Sequence, residues 1–333
     1  MSFENFLNEV AEDDCKQIDE EIKRRGLPVI IFGAGEMAKW VTENLSGRGI
    51  NVDGYAVDAE YFKPDKKFLD RPVYNFAELR AQAERYVFVL GMEDEMQGGS
   101  RAVNFLRDEQ IVSYPLPINL KGSCEKIGAE FIADNRAAFA QTYDLLADEL
   151  SRQTMINFLK LKLTADWTLN LDVFKPAPYF NALTEKFSHG EFVDCGAYCG
   201  DTIARFVKWS GGRYEKIFAF EPDAANFTAL ENFVRAEGYR DVSLFNCGVW
   251  HEKSTIYFER QIERTRVDES GTVAIHTEKL DDVLSGENVS LIKMEIQGSE
   301  LNALRGATEI LKNQKPALTI MMFHKATDLI TIP

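Results

Sequence analysis

Twice along this chain a short apolar, strand-forming run leads straight into a glycine-bearing turn and then into a helical pattern. The first is Val29-Ile30-Ile31-Phe32, followed by Gly33-Ala34-Gly35-Glu36-Met37-Ala38 and helical spacing through Trp40, Val41 and Leu45. The second is Phe192-Val193-Asp194, followed by a turn through Gly196 and Gly200 and a helical pattern from Thr202 to Trp209. A continuous apolar run suits a strand buried on both faces, and strand–turn–helix alternation leads to a parallel sheet.

The remaining strand and helix signals extend both alternations. Val52–Val57, Tyr86–Leu90 and Ile111–Tyr114 are predicted as further strands of the first sheet, with helices near 76–84 and 100–109 between them. In the second half, strands are expected at 216–220, 242–246, 254–258, 272–277, 290–296 and 317–323, with helices at 226–237, 279–284 and 299–312. Between the halves, apolar residues recur at helical spacing from Lys121 to Leu171, and Pro176-Ala177-Pro178 ends that run. The predicted class is therefore α/β: two Rossmann-like parallel-sheet domains joined by a helical connector. The boundaries read as a helical segment at 1–25, a first sheet domain at 26–120, a connector at 121–178 and a second sheet domain at 179–333.

Charge and cysteine content narrow the function classes. With 38 basic against 53 acidic residues the net charge is −15. No domain offers the Lys/Arg face that a nucleic acid needs, and the one basic cluster, Arg260, Arg264 and Arg266, reads as a solvated loop. No apolar run approaches the length of a membrane span, and residues 1–25 lack the pattern of a signal peptide. Five cysteines is an odd count that favours reduced thiols, so a cytoplasmic protein is expected, with homo-oligomerisation left open. Cys195, Cys199, Cys247 and His251 fit no standard zinc spacing, and no metal is expected.

The two turns differ chemically. Gly33-x-Gly35-x-x-Ala38 fits the dinucleotide fingerprint, with Asp58 near the position of a ribose-gripping carboxylate. Nucleotide or nucleotide-sugar binding stands there beside a purely structural role, and NAD-dependent redox chemistry is a weaker alternative. In the second turn the glycines lie four apart and an acid, Asp194, precedes them. That pattern suits a ligand carrying an ammonium and a carboxylate, and Glu221, at the end of the next strand, offers oxygens to a ribose. Together these fit S-adenosylmethionine better than a dinucleotide.

Four blocks in order carry a resemblance: Phe192 to Thr202, Ala219-Phe220-Glu221-Pro222-Asp223, Leu291 to Leu301, and Leu304-Arg305-Gly306-Ala307. Residues 179–333 resemble the FkbM-type methyltransferase family. The resemblance implies a class I methyltransferase fold using S-adenosylmethionine, with O-methylation of a sugar or other small polar metabolite as the activity. It implies that Asp194, Gly196, Ala197 and Gly200 contact the methionine part of the cofactor, that Thr202 opens the helix behind it, and that Asp201 and Thr202 belong to the cofactor-binding set. It places Glu221 at the ribose, and Asn246, Cys247 and Gly248 at the adenine.

Lys293, Glu295 and His324 are the catalytic candidates, all expected at the C-terminal edge of the sheet. His324 is the best base by intrinsic pKa, while Lys293 and Glu295 suit orienting or deprotonating an acceptor hydroxyl. Tyr179, Phe180 and Tyr198 are candidates for lining a substrate pocket. The sequence departs from the family at Glu295 and Gln297, where the usual pair is Asp and Glu, so a cofactor-binding protein with impaired chemistry is the alternative reading. The last predicted strand is also not followed by the usual final strand pair, so the domain reads as truncated there or completed by another segment.

Overall fold

The computed structural model describes residues 3–9, 14–92, 101–114, 125, 127–164, 169, 173, 179–261, 264–267 and 273–333. The chain divides into two compact units, Met1–Pro176 and Ala177–Pro333. Among the described residues no helix is long and apolar enough to cross a membrane.

In the first unit, helices α1 (Phe3–Glu9) and α2 (Asp14–Arg25) precede β1 (Val29–Phe32), α3 (Glu36–Gly47) and β2 (Gly54–Val57). Then come β3 (Lys67–Phe68), β4 (Arg71–Asn75), α4 (Phe76–Arg80), β5 (Val87–Leu90), α5 (Arg101–Leu106) and β6 (Ser113–Tyr114). The sheet order is β3-β4-β2-β1-β5-β6, parallel except for the β3–β4 pair. The short β3 and β4 were not expected; they have only two and five residues, and only Val73 of them is fully buried, so they lack an apolar signature. Helices α6 (Ala129–Asp134), α7 (Arg136–Leu145) and α8 (Glu149–Thr164) belong to this unit, not to a separate linker. The tight turn after β1 needs its first glycine: Gly33 has φ +125°, and a Cβ there would lie 2.3 Å from the Gly91 carbonyl oxygen.

The second unit begins with β7 (Glu191–Cys195), α9 (Asp201–Trp209), β8 (Ile217–Phe220), α10 (Ala224–Glu237) and β9 (Val242–Phe245). It continues through β10 (Gly248–Val249), β11 (Ser254–Gln261), β12 (Arg264–Val267), β13 (Val273–Glu278), α11 (Leu280–Val283) and β14 (Val289–Met294). It ends with α12 (Glu300–Arg305), α13 (Thr308–Asn313), β15 (Ala317–Ile320) and α14 (Asp328–Thr331). The main sheet is wholly parallel in the order β15-β14-β7-β8-β9. The chain steps outward from β7 to β8 and β9, then returns to the other side of β7 with β14. That reversal opens a crevice at the C-terminal ends of β7 and β14, the place where open α/β sheets bind ligands.

Local chemistry supports these elements. Asp223 caps α10 by accepting from the amides of Ala225 at 2.9 Å and Asn226 at 3.0 Å, and Gly238 ends the helix in the left-handed region at φ +66°. Phe192 stacks on Phe206 of α9 with centroids 4.3 Å apart, and Phe180 packs on Trp209, filling one side of the sheet.

Three expectations need correction. The single helix predicted at 299–312 breaks at Gly306-Ala307 into α12 and α13, at a glycine the Trp250 carbonyl approaches so closely that a Cβ would lie 2.0 Å from its oxygen. The strands at 254–258 and 272–277 do not extend the parallel sheet; they join a separate sheet of order β10-β13-β11-β12. That sheet places Arg260, Arg264 and Arg266 in strands, not in a loop.

Candidate active site

Parallel register sets the centre of the site. Lys293 of β14 and Asp194 of β7 are direct cross-strand partners, so their side chains leave the sheet on one face. Lys293 Nζ lies 3.1 Å from Asp194 Oδ1 and donates to the Gly196 carbonyl at 2.8 Å. On the other side of Asp194 the register partner is Ala219, which has no polar group to offer. Asp194 is fully buried, yet among the described residues neither carboxylate oxygen accepts a well-aligned hydrogen bond, and Oδ2 has no ion-pair partner either.

A second carboxylate shares the lysine. Glu295, just past the end of β14, has Oε2 4.0 Å from Lys293 Nζ, and the same oxygen accepts a 2.5 Å hydrogen bond from Tyr179 Oη. One cation thus stands between two carboxylates. Burial pushes the Asp194 carboxyl up to about 6, more than Lys293 can offset, with Asp201 and Glu295 adding repulsion. Burial works against the Lys293 ammonium, but the two acids more than compensate and hold it above its ordinary value. Tyr179 is raised by burial and by Glu295, so it stays a protonated donor.

The glycine turn makes room for this cluster. Gly196 has φ +85°, and a Cβ would sit 2.2 Å from the Glu295 carbonyl oxygen; at Gly200 (φ +98°) it would sit 2.4 Å from the Phe233 ring. The turn amides are less free than the sequence implied. Those of Gly196 and Ala197 both donate to the Phe220 carbonyl at 3.0 Å, and that of Tyr198 donates to Glu221 Oε2 at 3.0 Å. The donors left for an anionic group are the first amides of α9, from Asp201 and the buried Thr202, which have no acceptor within the helix.

Glu221 is buried at the end of β8. Its Oε1 accepts from the Asp223 amide at 2.9 Å and, more weakly, from Asn226 Nδ2 at 3.5 Å. Burial raises its pKa, and the surrounding amides offset this only in part. A carboxylate has about four lone-pair sites, so with three engaged roughly one strong site remains for a ribose. Asn246 donates through Nδ2 to the Glu221 carbonyl at 2.9 Å, Cys247 is buried, and Gly248 pairs with Thr277 in β10. Burial pushes the Cys247 thiol up to about 11 and Cys195 further still, so both are inert, protonated thiols.

Among the described residues His324 pairs with neither Lys293 nor Glu295. It follows β15 by four residues and is buried, with Nδ1 3.1 Å from Glu300 Oε1. A base paired this way is not offered to an acceptor, which corrects its placement on the open edge. Its neighbours Glu300 and Asp328 were missed by sequence reasoning; the His-x-x-x-Asp spacing of 324 and 328 was the one available signal. Burial alone would raise Glu300, but His324 and the Ile296 amide hold it below the ordinary carboxylate range.

In the first unit, Gly35 is not required by packing. It has extended backbone, and a Cβ would meet nothing within 4 Å. Ala38 is fully buried against Gly91, where a larger residue would not fit. Asp58 pairs with Arg101 at 3.4 Å, and both line a cavity of about 430 Å³ with Phe32, Phe76, Arg80 and Phe105.

Residues 194–330 match the Methyltransferase FkbM domain family. The crystal structure of Methyltransferase FkbM from Methylobacillus flagellatus KT aligns with a TM-score of 0.74 at 23% identity, covering 99% of this chain and 90% of that one, which shows a shared fold. An rRNA methylase from Streptococcus thermophilus aligns over 42% of this chain and 64% of its own at 14% identity, and its TM-score of 0.24 carries no argument. No curated protein sequence matches the chain. The parallel sheet with its reversal at β7 and the matched sequence blocks agree: residues 194–330 carry a match to the FkbM methyltransferase domain on a fold shared with such a protein.

Proposed function

We propose that the second unit binds S-adenosylmethionine and methylates a hydroxyl of a sugar or other small polar metabolite. The observation that carries the reading is the charge imbalance at the crevice. Asp194 is fully buried with Oδ2 unpartnered, and its one cation is shared with Glu295. A buried carboxylate in that state favours a cationic ligand, because a paired and hydrogen-bonded charge avoids most of the desolvation penalty. The cofactor's ammonium fits Asp194, its carboxylate fits the first amides of α9, and one ribose hydroxyl fits the remaining strong acceptor site on Glu221. Asn246, Cys247 and Gly248 remain the candidates for the adenine side.

When bound, S-adenosylmethionine supplies an electrophilic methyl on a sulfonium. The chain's own residues then have to hold the acceptor and manage its proton. Glu295 is the base this geometry supports: its carboxylate is partly open, and Tyr179 fixes one oxygen by donating to it. Lys293 is held by Asp194 and the Gly196 carbonyl, so it orients the two acids electrostatically and is not itself free to take the proton. Glutamate in place of the family's aspartate keeps the charge and moves it by about one methylene, so the change at 295 does not by itself remove the chemistry.

Calorimetric titration with S-adenosylhomocysteine tests the cofactor site, with Gly196→Asp combined with Glu221→Ala as the control. Micromolar binding lost in the variant supports the reading; no binding by a folded wild-type chain overturns it. Methyl transfer from radiolabelled cofactor to a panel of sugars and nucleotide-sugars then tests the acceptor class. For the first unit, the open space at Gly35 and the pairing of Asp58 with Arg101 support a nucleotide-sugar more than an NAD cofactor, since Arg101 already engages the carboxylate that would grip the ribose. The second unit remains the catalytic one in this reading.

A further inference from the structure

Behind the crevice, three buried side chains from three segments converge: Glu300 at the start of α12, His324 after β15, and Asp328 at the start of α14. One donor atom from each lies within 4.8 Å of the others. All three are at least nine-tenths buried, with Glu300 at 0%, His324 at 7% and Asp328 at 3% exposure. We propose that Glu300, His324 and Asp328 bind a first-row divalent cation of the manganese or zinc class.

Each carboxylate is already aimed by the backbone. Glu300 Oε1 accepts from the Ile296 amide at 2.9 Å, and Asp328 Oδ2 accepts from the Lys325 amide at 2.7 Å. Metal-ligating carboxylates are commonly oriented by such outer contacts. What is left over points to a missing partner. Glu300 Oε2 has none, and His324 Nδ1, though 3.1 Å from Glu300 Oε1, is not aligned for a hydrogen bond. Two buried carboxylates face one imidazole, so a dication bound to neutral His324 brings the local charge to zero.

The size also fits. Donors at about 2.0–2.2 Å from an ion stand roughly 3 to 3.8 Å apart when three share it, and these three atoms already lie within 4.8 Å of one another, with the His324–Glu300 pair at 3.1 Å. One nitrogen and two oxygens suit manganese, iron or zinc better than calcium or magnesium. The ion would tie the segment after β14, which carries Glu295 and leads through Gln297 and Gly298 to Glu300, to the segment after β15. Its role is to position that loop, and it does not depend on the acceptor or on cofactor binding.

The test uses the full chain stripped of metal with a chelator. Manganese is added and its free paramagnetic resonance signal followed, with zinc and magnesium as competitors. We expect one equivalent of manganese bound, displaced by zinc and not by magnesium, with a rise in thermal midpoint. Glu300→Gln and Asp328→Asn keep the backbone-capping oxygen while removing the charge, and each should weaken binding at least tenfold. Titration with S-adenosylhomocysteine reports separately on the cofactor site and on folding. Absence of metal binding by a folded wild-type chain would show that the cluster of Glu300, His324 and Asp328 is structural only. Unchanged binding in both folded variants would place the metal elsewhere; either result overturns the proposal.

Discussion

The raised pKa of Asp194 makes cofactor affinity a titratable quantity. An ammonium gains from this carboxylate only when it is ionised, and burial pushes it up to about 6 in the free protein. At pH 5.5 roughly a quarter of the molecules carry the charge, and at pH 7.5 nearly all do. Affinity for S-adenosylhomocysteine should therefore rise about fourfold between these pH values and level off above about 7. The sign follows from the direction of the shift: the free state holds the proton below about 6, and binding a cation expels it, so low pH opposes binding. Calorimetry at several pH values, repeated in buffers of different ionisation enthalpy, reads both the affinity and the released proton. The range stops above pH 5 because the chain's pI is 4.9 and solubility fails near it. Asp194→Asn should bind more weakly and lose most of this pH dependence. A flat profile for the wild type, or the same slope in Asp194→Asn, would refute the argument that Asp194 receives the ammonium.

Other perturbations test other parts of the site. Tyr179→Phe removes the 2.5 Å hydrogen bond to Glu295, and methyl transfer should fall about tenfold or more while S-adenosylhomocysteine affinity holds within twofold; equal losses in both would argue against Glu295 as base. Lys293→Met strands the buried Asp194 and should destabilise the fold by about 3–5 kcal/mol in denaturant unfolding at pH 7.5. Gly33→Ala should cost at least about 2 kcal/mol because its Cβ meets the Gly91 carbonyl at 2.3 Å, whereas Gly35→Ala should be nearly neutral in stability. If the first unit takes a nucleotide-sugar, Gly35→Asp should abolish that binding with the thermal midpoint unchanged. Asp281→Ala should lower stability by about 1 kcal/mol, since Asp281 accepts from the amides of Glu309 and Ile310 at the start of α13.

What could be read from the sequence was local. A strand, its turn and the following helix lie within about twenty residues, and the backbone demands of the turn show in the residue types. So Val29–Phe32 with Gly33, and Phe192–Asp194 with Gly196 and Gly200, identified two parallel sheets and the crevice of the second. The family blocks around Glu221 and Lys293 were equally local. The weak strands β3 and β4 and the separate sheet built on β11 and β13 were not legible, because their burial depends on neighbours far along the chain.

The tertiary structure decided which charges meet. Lys293 reaches Asp194 because β14 returns beside β7 in one particular register; a slip of one residue would send the lysine to the opposite face. Tyr179 reaches Glu295 across 116 positions, and His324 turns to Glu300 across 24. Chemistry of this kind depends on distances of about 3 Å and on dielectric surroundings, both of which arise from non-local packing. The sequence by itself determined that a glycine turn would lead from β7 into α9 at Gly196–Gly200; only the fold determined that the acid beside it would be buried with an oxygen left unpaired.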